Sequence, residues 1–380
     1  MSEVDTLKEI RMVDLKTQYE NIKTEIDEAI QNVIDNTAFI NGPQVKTFAD
    51  NLASYLHVNH VVPCANGTDA LQIALMALDL QPGDEVITVP YSFISTAEVT
   101  NLLKLKPVFV EINKATYTID VSKIEAAITE KTKCVIPVHL FGQPADMEPL
   151  MEIAKKHNLY VVEDTAQALG AEYRFSDGTT KSVGTIGNIG TTSFFPSKVL
   201  GCYGDGGALI TNDVELAETS KMICHHGSKV KYYHKIVGVN SRLDTIQAAI
   251  LDVKLKYLDK YYKARIKVAH YYDEALKDIE QIELPCKVAY GNHIFHQYSL
   301  TIKENRDELK EFLQNENIPT MIYFPVPFHL QDAFQQYGYK MGDFPISEYL
   351  AEHTLSLPIH TEMDEEQLGF ISEKVKEFFK

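Results

Sequence analysis

The stretch KCVIPVHLFGQPADMEPLMEIAKKHNLYVVED, residues 133–164, decides the fold of this chain. Two runs of apolar residues, at 133–140 and 159–164, flank a segment with helical periodicity near residues 147–157. Strands that are apolar almost without interruption are typical of parallel sheets covered by helices on both faces. The stretch therefore predicts a strand, a crossover helix and a second strand parallel to the first.

The same alternation continues in both directions along the chain. It predicts an α/β fold with a mostly parallel central sheet flanked by helices. After Asp244 the pattern changes to a long amphipathic helix, broken once, and then to a smaller α+β domain. We predict a large domain over residues 1–255, including a helix at 14–36, and a small C-terminal domain over 256–380. The other predicted strands of the sheet are 60–65, 84–90, 106–112, 191–195 and 207–212, and further helices are predicted near 69–80, 95–103, 121–129, 306–318 and 364–379.

The composition narrows the class of protein. The formal net charge of −17 on 380 residues argues against binding of nucleic acid or of an anionic membrane surface. The five cysteines are widely spaced and form no Cys-x-x-Cys pair, so neither a disulfide framework nor a metal site is predicted. The first residues lack the pattern of a signal peptide, and no run of about 18 apolar residues predicts a membrane span. We therefore expect a soluble protein of the reducing cytoplasm.

Two of the predicted strands are followed by residues that suit a ligand. In open α/β sheets, ligands bind beyond the carboxyl ends of the strands. Gly67 and Thr68 open a helix after the first strand, and a helix N-terminus favours an anion. Thr68 or Asp69 is the candidate for the cap of that helix. Phe93 follows the next strand, where it could pack as a hydrophobic staple or stack on a ligand.

A carboxylate and a lysine follow two later strands. Asp164 ends an apolar run, where a buried charge needs a partner, while Glu163 is predicted to point to the other face. Gln167 lies one turn further and could face the same site as Asp164. Lys198 lies in an irregular segment after the strand at 191–195, and a lysine in a partly desolvated cleft becomes a nucleophile. Alone, each residue also has a structural explanation, as a cap, a strand end or a solvated loop residue.

Taken together, these residues match the needs of pyridoxal 5′-phosphate (PLP). The phosphate of PLP needs amides and hydroxyls, its ring a stacking partner, its pyridine nitrogen a carboxylate, and its aldehyde a lysine. Gly67, Thr68, Phe93, Asp164 and Lys198 offer these groups at one edge of one predicted sheet. The Gly204–Gly207 segment resembles a phosphate loop but is interpreted as the turn that returns the chain to the sheet.

Five segments carry a resemblance to a known family. They read CANGTDALQIAL, PGDEVITVPYSF, VVEDTAQALGA, SFFPSKVLGCYGDGGALIT and GVNSRLDTIQAAIL, and the similarity spans about residues 12–360. The chain resembles the DegT-type nucleotide-sugar aminotransferases, which have PLP fold type I. Within that family it looks most similar to enzymes that aminate carbon 3 of a UDP-linked 2-acetamido-2-deoxy-3-keto-hexuronic acid.

The resemblance implies a role for each matched position around the cofactor. Lys198 would bind PLP covalently, and Asp164 would pair with its pyridine nitrogen. Phe93 would stack on the ring, and Gln167 would lie near the ring or its phenolic oxygen. The active site would be shared within a homodimer, because one phosphate contact comes from a neighbouring copy of the chain. The positions implied for the phosphate are Gly67, Thr68, Ser193 and, from the neighbouring copy, Asn240.

Contacts with the substrate are also implied by the resemblance. Arg242 is the candidate for the carboxylate of the sugar or of the amino donor, since arginine offers a planar bidentate fork. An ion pair between Arg242 and Asp244 is the structural alternative. His226 and Lys229 belong to a basic and aromatic segment, 225–238, that either holds a diphosphate or is a mobile solvated loop.

One segment departs from the family pattern. Tyr323 and Phe324 precede a proline at a place where the family commonly has His-Tyr. His329, before Leu-Gln, matches many members of the family. Because this segment lies by the sugar in the family, Tyr323 and His329 are further candidates for substrate binding, and the exact sugar stays open.

The sequence thus predicts a PLP-dependent transaminase with ping-pong kinetics and L-glutamate as the donor. Its product would be a UDP-linked amino sugar for a surface polysaccharide such as the O-antigen of lipopolysaccharide. The alternatives are a 4-keto or dTDP-linked 3-keto sugar as substrate and, less favoured, a nucleotide-sugar-binding regulator without catalysis. Relatives that remove a sugar hydroxyl have His at the position of Lys198. A Rossmann dehydrogenase is disfavoured because no Gly-x-Gly-x-x-Gly follows the first strand.

Overall fold

The computed structural model describes residues 8–380, and a seven-stranded sheet lies at their centre. Three smaller sheets of two or three strands accompany it. The strands are β1 His60–Cys64, β2 Glu85–Thr88, β3 Lys106–Phe109, β4 Thr132–Val135, β5 Tyr160–Asp164, β6 Glu172–Arg174, β7 Thr180–Ser182, β8 Ile189–Ser193, β9 Gly207–Thr211, β10 Ser228–Val230, β11 Tyr233–His234, β12 Ile282–Glu283, β13 Tyr298–Ile302 and β14 Thr354–Leu357. The helices are α1 Leu15–Asn21, α2 Lys23–Asp35, α3 Pro43–Leu56, α4 Gly67–Ala77, α5 Ser95–Leu102, α6 Ile124–Ala127, α7 Met147–His157, α8 Val214–Cys224, α9 Thr245–Leu255, α10 Leu258–Leu276, α11 Arg306–Asn315, α12 Pro345–His353 and α13 Glu365–Phe378.

The strand order of the large sheet is β1-β9-β8-β5-β4-β2-β3. All neighbours in it are parallel except β9, which runs antiparallel to both β1 and β8. The mostly parallel sheet predicted from the sequence is therefore confirmed. Because β1, β2, β5 and β8 point the same way, the residues that follow them meet at one edge of the sheet.

Both faces of the sheet are covered, which explains the apolar strands. Val161 of β5 packs into a cluster that contains Leu150 of α7, and Val162 packs into a separate cluster that contains Leu75 of α4. These four side chains are at most 1% exposed. Successive strand residues point to opposite faces of the sheet, so neighbouring apolar residues pack into two different cores. Helices on both sides of the sheet shield these residues from water.

A second, smaller core lies in the C-terminal part of the chain. The antiparallel sheet β12-β13-β14 packs with α10, α11 and α13. Leu300, Leu313, Leu355 and Ile371 form the centre of this cluster and are fully buried. The small α+β unit expected at the C-terminus is therefore present.

The helical stretch after Asp244 is broken once, as predicted. α9 ends at Leu255 and α10 begins at Leu258. The start of α10 still contributes Tyr261 and Tyr262 to the core of the large sheet, whereas its later turns pack in the small core. We keep the domain boundary near residue 255 as a proposal.

Several elements differ from the predictions. The helix expected at 14–36 is two helices that meet at Ile22, and the helix expected at 121–129 is a short 3-10 turn followed by α6. The helix α3 and the polar hairpins β6–β7 and β10–β11 were not predicted. Within residues 8–380, none of the helices combines the length and the apolar character that crossing a membrane requires.

Candidate active site

The helix α4 begins at the carboxyl end of β1 and brings Gly67 and Thr68 to the sheet edge. Its cap is Asn66, whose side chain accepts a hydrogen bond from the amide of Asp69 at 2.8 Å. The candidates Thr68 and Asp69 were therefore wrong for the cap, because Asn66 precedes the first helical residue and takes that position. Thr68 keeps its hydroxyl available at the N-terminus of the helix.

Gly67 and Ser193 are held side by side. A Cβ atom on Gly67 would lie 2.7 Å from the Cβ of Ser193, closer than side chains approach. Ser193 is the last residue of β8, so the two predicted phosphate contacts from distant parts of the sequence share one place in the fold. The close approach explains the glycine, since any side chain there would separate the helix start from β8.

Asp164 ends β5 and its carboxylate is fixed by two donors. The hydroxyl of Thr96 donates to Oδ2 at 2.8 Å, and the amide of Ala166 donates to Oδ1 at 3.1 Å. The residue is only 6% exposed. A carboxylate oxygen accepts more than one hydrogen bond, so Asp164 can still receive a protonated nitrogen from a ligand.

Glu163 points to the other face, as predicted, and is fully buried. Burial raises the pKa of its carboxyl, but the hydrogen bond and charge of His139 and the hydrogen bonds of main-chain amides outweigh burial and lower that pKa. Glu163 is thus a structural anchor at the end of β5. Its donors are Nε2 of His139 at 3.1 Å and the amides of Gly184 at 2.8 Å, Ile186 at 2.8 Å and Gly187 at 2.7 Å.

Lys198 lies on the segment between β8 and β9, which we call the lysine loop, residues 194–206. The amide of Lys198 donates to the carbonyl of Phe195 at 2.8 Å, and the amide of Cys202 donates to the carbonyl of Phe194 at 2.8 Å. Burial lowers the pKa of Lys198 to about 8, and the charge of Asp164 opposes part of that shift. At neutral pH a fraction of the Lys198 side chains is therefore unprotonated, and the neutral amine is the form that acts as a nucleophile.

These strand ends enclose a cavity of about 480 Å³. Phe93 lies at the cavity with 59% of its surface exposed, which leaves its ring free to stack on a ligand. Gln167 accepts a hydrogen bond at Oε1 from the amide of Phe141 at 2.8 Å, so the NH₂ group of its amide is left for the cavity. The predicted residues that line the cavity are Gly67, Thr68, Phe93, Asp164, Gln167, Ser193, Lys198 and Tyr323.

Five predicted residues do not line this cavity. His329 is buried elsewhere, against Phe344, and its Nε2 lies 2.8 Å from Oε1 of Glu348. Lys229 forms an ion pair with Glu218 on the surface. The remaining three are His226 and Asn240, which are exposed, and Arg242, which is partly buried.

Arg242 has no carboxylate partner within residues 8–380, where the arginine ion pairs are those of Arg11 and Arg306. The alternative of an ion pair with Asp244 is therefore not formed. Asn240 and Arg242 lie on the same segment, before α9, outside the cavity of their own chain.

The cavity also contains polar residues that the sequence did not reveal. His296 and Gln297 line it from the segment before β13, and both are at most 8% exposed. Burial, together with the charges of Lys198 and Arg265, lowers the pKa of His296 far below its ordinary value, so the ring is neutral. No strand end or motif marks these residues. They reach the site because the small domain packs against the large one.

The groups around the cavity fit PLP. Thr192 Oγ1 and His296 Nδ1 are buried and lack a hydrogen-bond partner among the described residues, which is unusual unless a ligand or water uses them. The helix start with Gly67, Thr68 and Ser193 suits a phosphate. Asp164 suits a protonated pyridine nitrogen, and among residues 8–380 no hydrogen bond to the Lys198 amine competes with an aldehyde.

Comparisons with known proteins agree with this site. The family model of the DegT/DnrJ/EryC1/StrS aminotransferase family matches residues 20–376. The chain is 47% identical to the "Pleiotropic regulatory protein" of Geobacillus stearothermophilus, over 98% of this chain and 99% of that one. It is 42% identical to the UDP-2-acetamido-2-deoxy-3-oxo-D-glucuronate aminotransferase of Pseudomonas aeruginosa, over 95% of this chain and 98% of that one.

Other relatives and solved structures extend the comparison. The dTDP-3-amino-3,6-dideoxy-alpha-D-galactopyranose transaminase of Aneurinibacillus thermoaerophilus is 40% identical, over 97% of this chain and 99% of its own length. The crystal structure of a DegT DnrJ EryC1 StrS aminotransferase from Brucella abortus superposes with a TM-score of 0.92 and 40% identity, over 97% of this chain and 99% of that one. The fold is thus that of the PLP-dependent transferases of type I. The chain belongs to the DegT/DnrJ/EryC1/StrS aminotransferase family and is a PLP-dependent transaminase.

Proposed function

We propose that this chain transfers the amino group of L-glutamate to carbon 3 of UDP-2-acetamido-2-deoxy-3-keto-glucuronic acid, on the way to a surface polysaccharide. The observation that supports catalysis is the meeting of Lys198 and Asp164 at one cavity, the first with a lowered pKa and the second with an anchored carboxylate. The similarity to the Pseudomonas aeruginosa enzyme, which is named for this sugar, supports the choice of substrate.

The residues of the chain divide the chemistry between them. When bound, PLP supplies a conjugated ring that takes up electrons from the α-carbon of the donor. Lys198 Nζ removes the proton from that carbon and delivers it again, acting first as base and then as acid. Asp164 keeps a proton on the pyridine nitrogen, since a carboxylate stabilises the positive charge there. The donor would leave as 2-oxoglutarate once its amino group has passed to the bound PLP and water has supplied the keto oxygen. The same residues would act in the reverse order on the keto sugar, whose oxygen would leave as water.

The proposed site is completed by a second copy of the chain. Asn240 and Arg242 lie outside the cavity of their own chain, and Arg242 has no carboxylate partner within residues 8–380. In a homodimer, Asn240 would reach the phosphate of the neighbouring cofactor, and Arg242 would bind the carboxylate of the sugar or the donor.

The hairpin β10–β11 and its flanks are proposed to hold the nucleotide diphosphate. His226 and Lys229 belong to this exposed segment, and a positive group here would attract an anion to a chain of strongly negative net charge. Lys229 would exchange its surface partner Glu218 for the diphosphate. Tyr323 lines the cavity and is the proposed sugar contact of the small domain.

A half-reaction tests the substrate. The enzyme is loaded with pyridoxamine phosphate and mixed with UDP-linked 3-keto-hexuronic acid, its neutral 3-keto counterpart, a dTDP-linked 3-keto sugar and a 4-keto sugar. We expect the first to be aminated fastest, with the product identified by mass and by NMR. Preference for a dTDP-linked or a 4-keto sugar would contradict the proposed substrate but not the assignment of the chain as a transaminase.

The same experiment addresses the regulator alternative, which the name of the Geobacillus stearothermophilus relative favours. A regulator would bind a nucleotide sugar without converting it. Binding by calorimetry with no amination of any sugar in the panel, and no 2-oxoglutarate formed from L-glutamate, would support that function instead.

A further inference from the structure

Lys254 is a buried cation that the proposed reaction does not use. It lies near the end of α9 and is 1% exposed. Its Nζ donates a hydrogen bond to the carbonyl of Gly201 at 2.5 Å and lies 5.4 Å from the centre of the Tyr203 ring. Gly201 and Tyr203 both belong to the lysine loop. The contacts of the ammonium group are thus made to the loop that carries Lys198.

No carboxylate within residues 8–380 pairs with Lys254. Burial lowers its pKa to about 8, because the apolar surroundings disfavour the charged form. Removing an ammonium group from water without an opposite charge costs several kcal/mol, so this lysine is a poor way to stabilise a core. A methionine of similar length would fill the same space at lower cost, which points to a role other than packing.

Gly201, whose carbonyl accepts the hydrogen bond of Lys254, lies where the lysine loop folds back on itself. A Cβ atom on Gly201 would lie 2.5 Å from the carbonyl oxygen of Pro196 and 2.7 Å from that of Phe195. The loop therefore folds back on itself and brings several carbonyl oxygens close together. A charged donor makes a stronger hydrogen bond than a neutral one, so an ammonium group holds the Gly201 carbonyl more strongly than a neutral side chain would.

We infer that Lys254 is a positioning residue that holds the lysine loop against α9 and so fixes the place of Lys198 in the cavity. This inference rests on the proposed role of Lys198. The helix α9 would then have two roles. It would hold the lysine loop, and the segment that precedes it carries Asn240 and Arg242, the residues proposed to reach the neighbouring site.

Opening of the lysine loop can be measured without an activity assay, because it would expose the thiol of Cys202 to alkylation. Cys202 is fully buried, and its Sγ lies 3.0 Å from the carbonyl oxygen of Phe194 and 3.2 Å from that of Gly204, either of which can accept the thiol hydrogen. Cys134 of β4 is equally buried and reports on the unfolding of the sheet. The experiment is alkylation of the full-length, PLP-loaded protein, followed by peptide mapping of the labelling rates of both thiols.

In Lys254→Met, we expect the rate of Cys202 labelling to rise roughly 10- to 100-fold more than the rate of Cys134 labelling. This fold-change corresponds to the loss of one hydrogen bond from a charged donor. The rate of PLP dissociation should rise in the same variant. Lys254→Gln keeps a neutral donor and should lie between Lys254→Met and the wild type, and it serves as the test if Lys254→Met does not fold. Lys256→Met is the matched control, because the Lys256 side chain is exposed and, in the described part of the chain, its ammonium group pairs with Glu25 on the surface.

Equal acceleration of both thiols would show that Lys254 serves global stability alone and would overturn the inference. Unchanged labelling of both thiols in a folded variant would overturn it too. If the half-reaction fails with every sugar while Cys202 responds as expected, the proposed substrate is wrong and the role of Lys254 in holding the loop stands.

Discussion

The surroundings of Lys198 set the pH at which its amine reacts. Its pKa is lowered to about 8 by burial, against the 10.5 of a free lysine. Only the neutral amine attacks an aldehyde, and its fraction rises as the pH increases through the pKa. We therefore expect the rate of covalent PLP capture by cofactor-free protein to rise with pH through a midpoint near 8, followed by stopped-flow absorbance.

The partner of Lys198 in this titration is Asp164, whose negative charge favours the ammonium form. Asp164→Asn should move the midpoint of PLP capture to lower pH, because the charge that holds the proton is removed. A wild-type midpoint near that of free lysine, or a shift to higher pH in Asp164→Asn, would contradict the electrostatics described for this pair.

Asp164 also has a predicted effect on turnover. Asp164→Asn keeps the shape of the side chain and an acceptor for the amide of Ala166, and its NH₂ group can donate to the Thr96 hydroxyl, so the fold should persist. Transamination should fall by roughly 100-fold or more, because a neutral amide does not stabilise a protonated pyridine nitrogen. The measurements are kcat and thermal unfolding, with Glu163→Gln as the control that should lose stability. Full activity of Asp164→Asn would remove the role assigned to this carboxylate.

The residues that follow strands could be predicted from the sequence, and those brought in by packing could not. Asp164 and Lys198 stand at the ends of apolar runs, and the topology of a parallel sheet alone places them together. Thr96 reaches Asp164 from α5, and His296 enters from the small domain. Their contacts depend on how helices and domains pack, which no local pattern in the sequence specifies.

At the scale of elements, the start of α4 is the most constrained part of the site. Gly67→Ala would place a Cβ atom 2.7 Å from Ser193, so the helix start or β8 must shift. We expect the affinity for PLP to fall by roughly 10- to 100-fold, measured by equilibrium titration of cofactor-free protein. Asn66→Ala is the control: loss of the cap should cost about 1 kcal/mol of stability in urea unfolding, with a smaller effect on PLP. Equal PLP affinities in Gly67→Ala and wild type would contradict the proposed phosphate position.

Elements with strong hydrophobic patterns were predictable and short polar ones were not. The strands of the large sheet are rich in valine and isoleucine because both faces are buried, and each was located to within a few residues. The hairpin β6–β7 carries charged and polar side chains. Its two strands form by pairing with each other and not as part of the large sheet. The break at Ile22 between α1 and α2 also escaped prediction, since the apolar periodicity continues across it.

At the scale of the whole molecule, the proposal of active sites shared within a homodimer predicts complementation. A subunit with Lys198→Ala retains Arg242, and a subunit with Arg242→Ala retains Lys198. A heterodimer of the two would contain one intact site, so we expect about half of the wild-type activity per verified heterodimer, measured after separation by two affinity tags. Each homodimer of a single variant should stay nearly inactive. Inactive heterodimers would count against sites shared between subunits.

The insertion of β9 into the large sheet determines when the active site can form during synthesis of the chain. β1 is an edge strand whose sheet partner is β9, although more than a hundred residues of chain separate them. Until residues 207–211 leave the ribosome and insert between β1 and β8, nothing in the sheet joins the β1 end to the β8 end. Before that insertion the start of α4 meets β8 through packing alone, so we expect cofactor capture to follow the insertion of β9 into the sheet.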